Sequence, residues 1–276
     1  MSANRLERRL AALRAEGRRG IAPYVTAGDG GLATTLAVLR ALEREGAVCV
    51  ELGVPFSDPI ADGPKLQAAH QRALEAGTTL DGILETLAEL RRGSNGAPAS
   101  DLPVVLMSYA NPLLRRGWQR ACEEIAAAGG DALLVADLPV EEGEALLEPA
   151  RRAGLCPIFF AAPTSGDERI LRAAAWSRGF LYVIGRTGVT GAPTELDQAF
   201  QGFVERVRTL AGELPLGVGF GIDGPEAVAR AVRHADLAIV GSALTVHVHR
   251  TAGGQAELAG PAAADFMRRL SAGLPR

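Results

Sequence analysis

Short apolar runs alternate with longer helical patterns eight times along this chain of 276 residues. Parallel neighbouring strands need a crossover connection, so repeated strand, helix and strand predict a parallel sheet. The runs are almost continuously apolar, which is typical of strands buried on both faces. The eight predicted strands span residues 21–26, 48–52, 104–108, 132–136, 157–161, 180–184, 216–220 and 237–240.

Eight such units within this length fit a closed α/β barrel, the (β/α)8 or TIM barrel, better than an open sheet. The linking stretches show apolar residues three and four apart, as helices do. No run of Pro, Gly or Ser is long enough for an interdomain linker, so we expect one domain over residues 1–276. Leu6, Leu10 and Leu13 have helical spacing, and they predict an extra N-terminal amphipathic helix that covers one end of the barrel.

The composition argues against several classes of partner. The net charge of −3 offers no general attraction to nucleic acid or to an anionic membrane. No apolar segment reaches the length of a membrane span, and the charged N-terminus lacks the apolar stretch of a secretory signal. A transit peptide is a minor alternative, weakened by Glu7 and Glu16. Three unpaired cysteines and scattered histidines favour a cytoplasmic protein without a metal site.

Glycines follow the last three predicted strands and suggest a phosphate site. Glycine lets the backbone approach a ligand closely, and the N-terminus of a helix adds a favourable dipole. Gly241 and Ser242 open the last helical stretch, where such barrels often bind phosphate. Any single glycine is equally well explained by a tight turn, so the prediction depends on all three loops together.

Two carboxylic acids form the second signal. Glu51 ends an apolar strand and should project into the mouth of the barrel, where burial raises the pKa of a carboxylic acid. A raised pKa suits a group that transfers protons at neutral pH. Asp62 lies in the following loop and could approach the same substrate. Taken alone, each has a structural explanation: a strand-end acid, or an aspartate in a turn.

The segment from Glu51 to Pro64, ELGVPFSDPIADGP, resembles the signature segment of tryptophan synthase alpha chains. The segment is long and irregular, which makes chance agreement very improbable. The resemblance covers nearly the whole chain. It includes PYVTAGD at residues 23–29, MSYANP at 107–112, VADLP at 135–139, APTS at 162–165, GVTG at 188–191, GFGI at 219–222 and Gly241-Ser242.

The resemblance implies an activity and a role for each matching residue. The family cleaves indole-3-glycerol phosphate to indole and glyceraldehyde 3-phosphate. Glu51 would be the general acid/base, Asp62 would hold the indole N–H, and Tyr182 would lie beside them. Thr190 would belong to a loop that closes over the substrate. The implied phosphate ligands are Gly191, Gly221, Gly241 and Ser242.

This chemistry fits the residues that the chain offers. Carbon–carbon cleavage needs an electron sink, such as a Schiff-base lysine or a metal. Lys65 is the only lysine beside 28 arginines, and the sequence shows no cluster of metal ligands. A protonated indole is its own electron sink, so two carboxylates suffice. The flat indole ring also needs an apolar pocket, for which the strand-end candidates are Tyr24, Met107, Phe160, Tyr182 and Phe220.

The resemblance further implies a partner. The alpha chain would need neither cofactor nor metal and would act with a pyridoxal phosphate-dependent beta chain, in an alpha2-beta2 tetramer. Pro55 and Asp58 match partner contacts. The sequence departs from the common family pattern at Gly30, Gly185 and residues 192–194. The resemblance therefore does not determine how the loop closes or how the chain couples to the partner.

Three alternatives stay open from the sequence. A stand-alone lyase of the same fold would release free indole and have the same active site. A non-catalytic subunit would only activate its partner, which the presence of both Glu51 and Asp62 argues against. Another phosphate-binding barrel, such as an isomerase, would not require Asp62.

Overall fold

A computed structural model describes residues 3–93, 96–185, 195–219 and 221–275. Nine parallel strands form one sheet, surrounded by helices. The strands are β1 Gly20–Thr26, β2 Val50–Gly53, β3 Val104–Ser108, β4 Ala132–Val135, β5 Cys156–Ile158, β6 Phe160–Ala161, β7 Leu181–Ile184, β8 Leu216–Gly219 and β9 Leu237–Val240. The helices are α1 Arg5–Ala15, α2 Leu32–Arg44, α3 Pro64–Glu75, α4 Leu80–Arg92, α5 Ala110–Leu114, α6 Trp118–Ala127, α7 Glu144–Arg152, α8 Asp167–Trp176, α9 Glu195–Ala211, α10 Pro225–Ala231, α11 Ser242–Ala252 and α12 Ala256–Ser271.

The sheet closes into a barrel, which confirms the predicted fold. Its strand order is β5-β4-β3-β2-β1-β9-β8-β7-β6, and only Phe159 separates its two end strands in the chain. The carbonyl oxygen of Phe159 accepts a hydrogen bond from the Tyr182 amide at 3.0 Å, and that of Pro157 accepts one from the Arg178 amide at 2.8 Å. Strands β5 and β6 are therefore one interrupted barrel strand.

The interruption at Phe159 is caused by two residues at the end of helix α8, Trp176 and Ser177. The Phe159 amide donates to the side-chain oxygen of Ser177 at 3.0 Å rather than to a neighbouring strand. The Phe159 ring packs edge-on against Trp176, with ring centroids 6.0 Å apart. The continuous strand predicted over residues 157–161 is thus split in two.

The helical stretch between β3 and β4 is also divided, into α5 and α6. Gly117 lies between them with φ +81°, a conformation that glycine adopts without strain. The chain therefore turns at Gly117, and α6 starts in a new direction.

Helix α1 closes the amino-terminal end of the barrel, as its leucine spacing predicted. Leu6, Leu10 and Leu13 are buried in one cluster with strand residues such as Val105 of β3 and Leu134 of β4. Asn4 and Glu7 form a capping box at the start of the helix. Since this end is sealed, a ligand must enter from the carboxyl-terminal end of the strands.

Helix α1 is fixed by charges as well as by apolar packing. Arg5 lies 2.9 Å from the buried carboxylate of Asp131, and Glu7 binds Arg178 at 2.8 Å. Asp131 also accepts a hydrogen bond from the Val104 amide. The helix is thereby tied to the first residues of β3 and β4.

Candidate active site

A cavity of about 490 Å³ opens at the carboxyl-terminal ends of the strands. It brings together most of the residues that the sequence singled out. The predicted site residues lining it are Tyr24, Glu51, Asp62, Met107, Phe160, Tyr182, Gly221, Gly241 and Ser242. Thr190, Gly191 and Phe220 lie outside the described residues. The catalytic and binding roles of all twelve stay predictions.

Glu51 is buried at the inner wall of this cavity. It sits in β2, in register with Tyr24 of β1 and Val105 of β3. Only 1% of Glu51 is exposed, and its Oε1 has no hydrogen-bond partner. Burial raises the pKa of this carboxylic acid to about 8. At neutral pH the group is therefore protonated and has a proton to give.

Asp62 differs from Glu51 because its carboxylate has donors. The Tyr109 hydroxyl donates to Oδ2 at 2.6 Å, and Nε2 of His70 lies 3.3 Å from the same oxygen. The side chain is 5% exposed. Donors of this kind stabilise negative charge on a carboxylate. The cavity thus contains one carboxylic acid held neutral and one carboxylate held by hydrogen bonds.

His70 links Asp62 to the backbone of the loop that carries it. Its Nδ1 accepts a hydrogen bond from the Phe56 amide at 3.0 Å, so the neutral ring carries its proton on Nε2. That Nε2 faces both Asp62 and the Tyr24 hydroxyl, each at 3.3 Å. The ring is 2% exposed. The residue therefore fixes the loop of residues 54–63, hereafter the β2–α3 loop, against helix α3.

Tyr109 and His70 are site residues that the sequence reasoning missed. Tyr109 stacks on Phe56 with ring centroids 5.1 Å apart, and its hydroxyl accepts a hydrogen bond from the Ala61 amide at 3.1 Å. Burial and the neighbouring Asp62 raise the pKa of its phenol, so the hydroxyl keeps its proton. The sequence signals for Tyr109 are its place directly after β3 and its position within the MSYANP segment at residues 107–112.

Aromatic and apolar side chains form the wall opposite the loop. Phe160 and Tyr182 are paired in register, and their ring centroids lie 5.0 Å apart. Burial raises the pKa of the Tyr24 and Tyr182 phenols, and the carboxyl groups of Glu51 and Asp62 raise it further. Both tyrosines stay neutral. This wall offers an aromatic, apolar surface in the cavity that contains the two carboxyl groups.

Two glycines at strand ends make room for these tyrosines. A Cβ atom on Gly53 would overlap the Tyr24 ring and hydroxyl, and one on Gly219 would overlap Tyr182. Gly221 is different, since it has φ +49° and open space around it. The structure therefore gives Gly219, the last residue of β8, a packing role and leaves Gly221, beyond the strand, free to face a ligand.

The start of helix α11 forms the other side of the cavity mouth. Gly241 precedes the helix, and no side chain caps its first turn. The first amides of a helix have no partners within it, so amides near Ser242 are free to bind an anion. Within the described ranges, no three His, Cys, Asp or Glu side chains come together as metal ligands. The same residues contain no helix long and apolar enough to span a membrane.

The protein is a (β/α)8 barrel whose mouth brings together a neutral carboxylic acid, a hydrogen-bonded carboxylate and a free helix N-terminus. Comparison with known proteins narrows this class. The family model for the tryptophan synthase alpha chain matches residues 10–268. The chain belongs to the tryptophan synthase alpha chain family.

Individual relatives agree with this assignment. The tryptophan synthase alpha chain of Prochlorococcus marinus is 46% identical over 244 residues, which are 88% of this chain and 86% of the relative. The solved subunit alpha from Legionella pneumophila superposes with a TM-score of 0.85 at 30% identity, covering 98% and 99% of the two chains. A chain of the tryptophan synthase complex from Pyrococcus furiosus has a TM-score of 0.80 at 34% identity, covering 92% and 98%.

Proposed function

We propose that the chain cleaves indole-3-glycerol phosphate to indole and glyceraldehyde 3-phosphate, as the alpha subunit of tryptophan synthase in L-tryptophan biosynthesis. The observation that carries the proposal is Glu51, a buried acid with a raised pKa and an unpartnered oxygen, in the same cavity as a hydrogen-bonded carboxylate. General acid/base catalysis needs a proton donor near neutral pH within reach of the substrate.

Glu51 transfers a proton twice in the proposed reaction. It first donates its proton to C3 of the indole ring, and the ring nitrogen becomes an iminium. The resulting Glu51 carboxylate then takes the proton of the hydroxyl on the carbon attached to C3. The bond between these carbons breaks, its electrons return to the ring, and an aldehyde forms. The acid is restored, so no proton is consumed.

Asp62 accepts a hydrogen bond from the indole N–H and stabilises the positive charge of the iminium. Its own position depends on Tyr109 and His70, which hold Oδ2. The apolar wall of Phe160 and Tyr182 packs against the ring. The Asp62 carboxylate at the ring nitrogen stabilises the positive charge that forms when Glu51 protonates C3. The site therefore favours the protonated intermediate over the neutral substrate.

Backbone amides hold the phosphate at the other end of the substrate. The candidates among the described residues are Gly221, Gly241 and Ser242, which line the same cavity. The free first turn of α11 supplies a favourable dipole for an anion. Gly191 and Thr190 are proposed to complete this site and to close over it.

A beta chain that carries pyridoxal phosphate is proposed as the partner, in an alpha2-beta2 tetramer. A surface groove beside the site is lined by Pro55, Phe56, Ser57 and Asp58 of the β2–α3 loop. Two large apolar residues near it are exposed, Ile60 by 81% and Leu114 by 49%. Exposed apolar residues of this size are typical of protein interfaces. Docking here would act directly on the loop that carries Asp62.

The test is incubation of the purified chain with indole-3-glycerol phosphate, with and without a beta chain, following both products. We expect equal amounts of indole and glyceraldehyde 3-phosphate and a faster reaction with the beta chain. An equal rate in both samples would instead identify a stand-alone lyase. No cleavage in either sample would contradict the proposed activity.

A further inference from the structure

Lys65 lies in the first turn of helix α3 and lines the cavity that contains Glu51 and Asp62. It is the only lysine in the chain, whereas the other 28 basic residues are arginines. Its side chain is exposed, and it makes no hydrogen bond or ion pair with any other described residue. The ammonium group is therefore free to bind a ligand in the cavity.

The charges around the cavity make this ammonium group important. Among the described residues that line it, Lys65 has the only positive charge, and the acidic side chains are Glu51 and Asp62. A phosphate ester carries up to two negative charges, and a nearby carboxylate repels it. Asp62 is held by Tyr109 and His70, so it does not pair with Lys65. A bound phosphate would be the natural partner of this cation.

The position of helix α3 places Lys65 on the phosphate side of the cavity. The next residue, Leu66, has its Cδ1 only 3.9 Å from where a Cβ on Gly241 would lie. The first turn of α3 is therefore beside the first turn of α11. Both helices begin after a glycine, Gly63 and Gly241, and neither has a side-chain cap. The unpaired amides at the start of α11 and the Lys65 ammonium group thus meet at the cavity mouth.

We propose that the Lys65 ammonium group binds the substrate phosphate together with the amides near Gly241 and Ser242, and so selects phosphorylated substrates. The proposal rests on the proposed function and adds a specificity-determining residue to it. Lysine has a flexible stem and a compact charge, which lets it follow a phosphate as the ligand enters and leaves. Lys65 takes no part in the proton transfers.

The kinetic test compares Lys65→Met, which keeps a long stem without the charge, with Lys65→Arg. Loss of one charge-assisted hydrogen bond should raise the KM for indole-3-glycerol phosphate about tenfold, while kcat changes less than about twofold. Lys65→Arg should keep most of the affinity. Arg44→Met is the matched control, because Arg44 is exposed at the far end of α2. An unchanged KM in Lys65→Met would overturn the proposal.

The single lysine also allows a direct binding test. Reductive methylation with ¹³C-formaldehyde keeps the positive charge and labels only Lys65 and the N-terminal amine. On titration with glycerol 3-phosphate, the Lys65 methyl signal in the NMR spectrum should shift saturably, while the N-terminal signal stays fixed. A Lys65 signal that stays fixed, at concentrations where glycerol 3-phosphate inhibits cleavage, would refute the binding of phosphate by Lys65. It would leave the proposed lyase activity intact. Absence of cleavage together with a saturable shift would overturn the proposed function and support the phosphate contact.

Discussion

The Tyr109 hydroxyl donates a hydrogen bond to Oδ2 of Asp62 at 2.6 Å. The same hydroxyl accepts the Ala61 amide at 3.1 Å, so one side chain of the β3 end holds both the carboxylate and the backbone beside it. Hydrogen bonds to a charged acceptor are short and strong. The position of Asp62 is therefore set from outside its own loop, by a residue 47 positions away in the chain.

Replacement of Tyr109 by phenylalanine should disturb Asp62 without removing the stacking on Phe56. The variant loses a hydrogen bond to a charged group, which contributes about 1.5–3 kcal/mol. We expect kcat for cleavage of indole-3-glycerol phosphate to fall about tenfold or more. Affinity for glycerol 3-phosphate, measured by calorimetry, should stay within about twofold. A kcat equal to that of the unmodified chain would show that Asp62 does not need this contact.

His70→Leu should destabilise the fold as well as reduce activity. It leaves the Phe56 amide without its acceptor and removes one donor from Asp62, at a buried position. Each unsatisfied buried polar group costs about 1–3 kcal/mol. Urea unfolding should show a loss of about 2–4 kcal/mol in the free energy of unfolding.

The control for His70→Leu is His234→Leu. His234 is 30% exposed, and its one ion-pair partner among the described residues is the exposed Glu205, at 3.5 Å. Surface pairs of this kind contribute less than about 1 kcal/mol. Equal losses in the two variants would contradict a special role for the His70 network.

Glu51 should make stability depend on pH. Burial raises its pKa from 4.5 to about 8. Between these values the folded chain holds a proton that the unfolded chain has released, so the free energy of unfolding falls as pH rises. The slope is about 1.4 kcal/mol per pH unit for a fully shifted group. Urea unfolding from pH 5 to 8.5 should show a loss of a few kcal/mol for the unmodified chain relative to Glu51→Gln. If the free energy of unfolding changed with pH in the same way for the unmodified chain and for Glu51→Gln, the raised pKa of Glu51 would be contradicted.

Leu10→Ala separates the fold from the site. Leu10 is 2% exposed, at the sealed end of the barrel, and a buried leucine replaced by alanine costs about 2–5 kcal/mol. Unfolding in urea should show this loss, whereas kcat at 25 °C should stay within about twofold. A large fall in kcat in the folded variant would mean that α1 influences the active site.

The barrel could be predicted from the sequence because its signals are local. Apolar runs, helical spacing and the leucines of α1 each lie within one segment. The break at Phe159 could not be predicted, since it depends on Ser177, 18 positions later, competing for the strand amide. The break at Gly117 has a local signal in the sequence, the glycine itself, which the apolar spacing on either side conceals.

The residues of the candidate site also divide into those with a local sequence signal and those that depend on distant parts of the chain. Glu51 could be identified from the sequence because an ionisable side chain is unfavourable to bury at the end of an apolar strand. Tyr109 and His70 act through Asp62, and only the closed barrel and the packing of α3 bring them to it. The packing role of Gly219 could not be predicted either, because the glycine provides space for Tyr182 of the neighbouring strand.

The most direct test of the central claim is the rate of indole release by Glu51→Gln in a single turnover of indole-3-glycerol phosphate. Glutamine keeps the size of the side chain but has no proton to transfer. We predict a rate lower by about 10²–10⁴-fold or more, with the affinity for glycerol 3-phosphate within about twofold of that of the unmodified chain. Indole release at the unmodified rate would contradict the assignment of Glu51 as the group that transfers the protons.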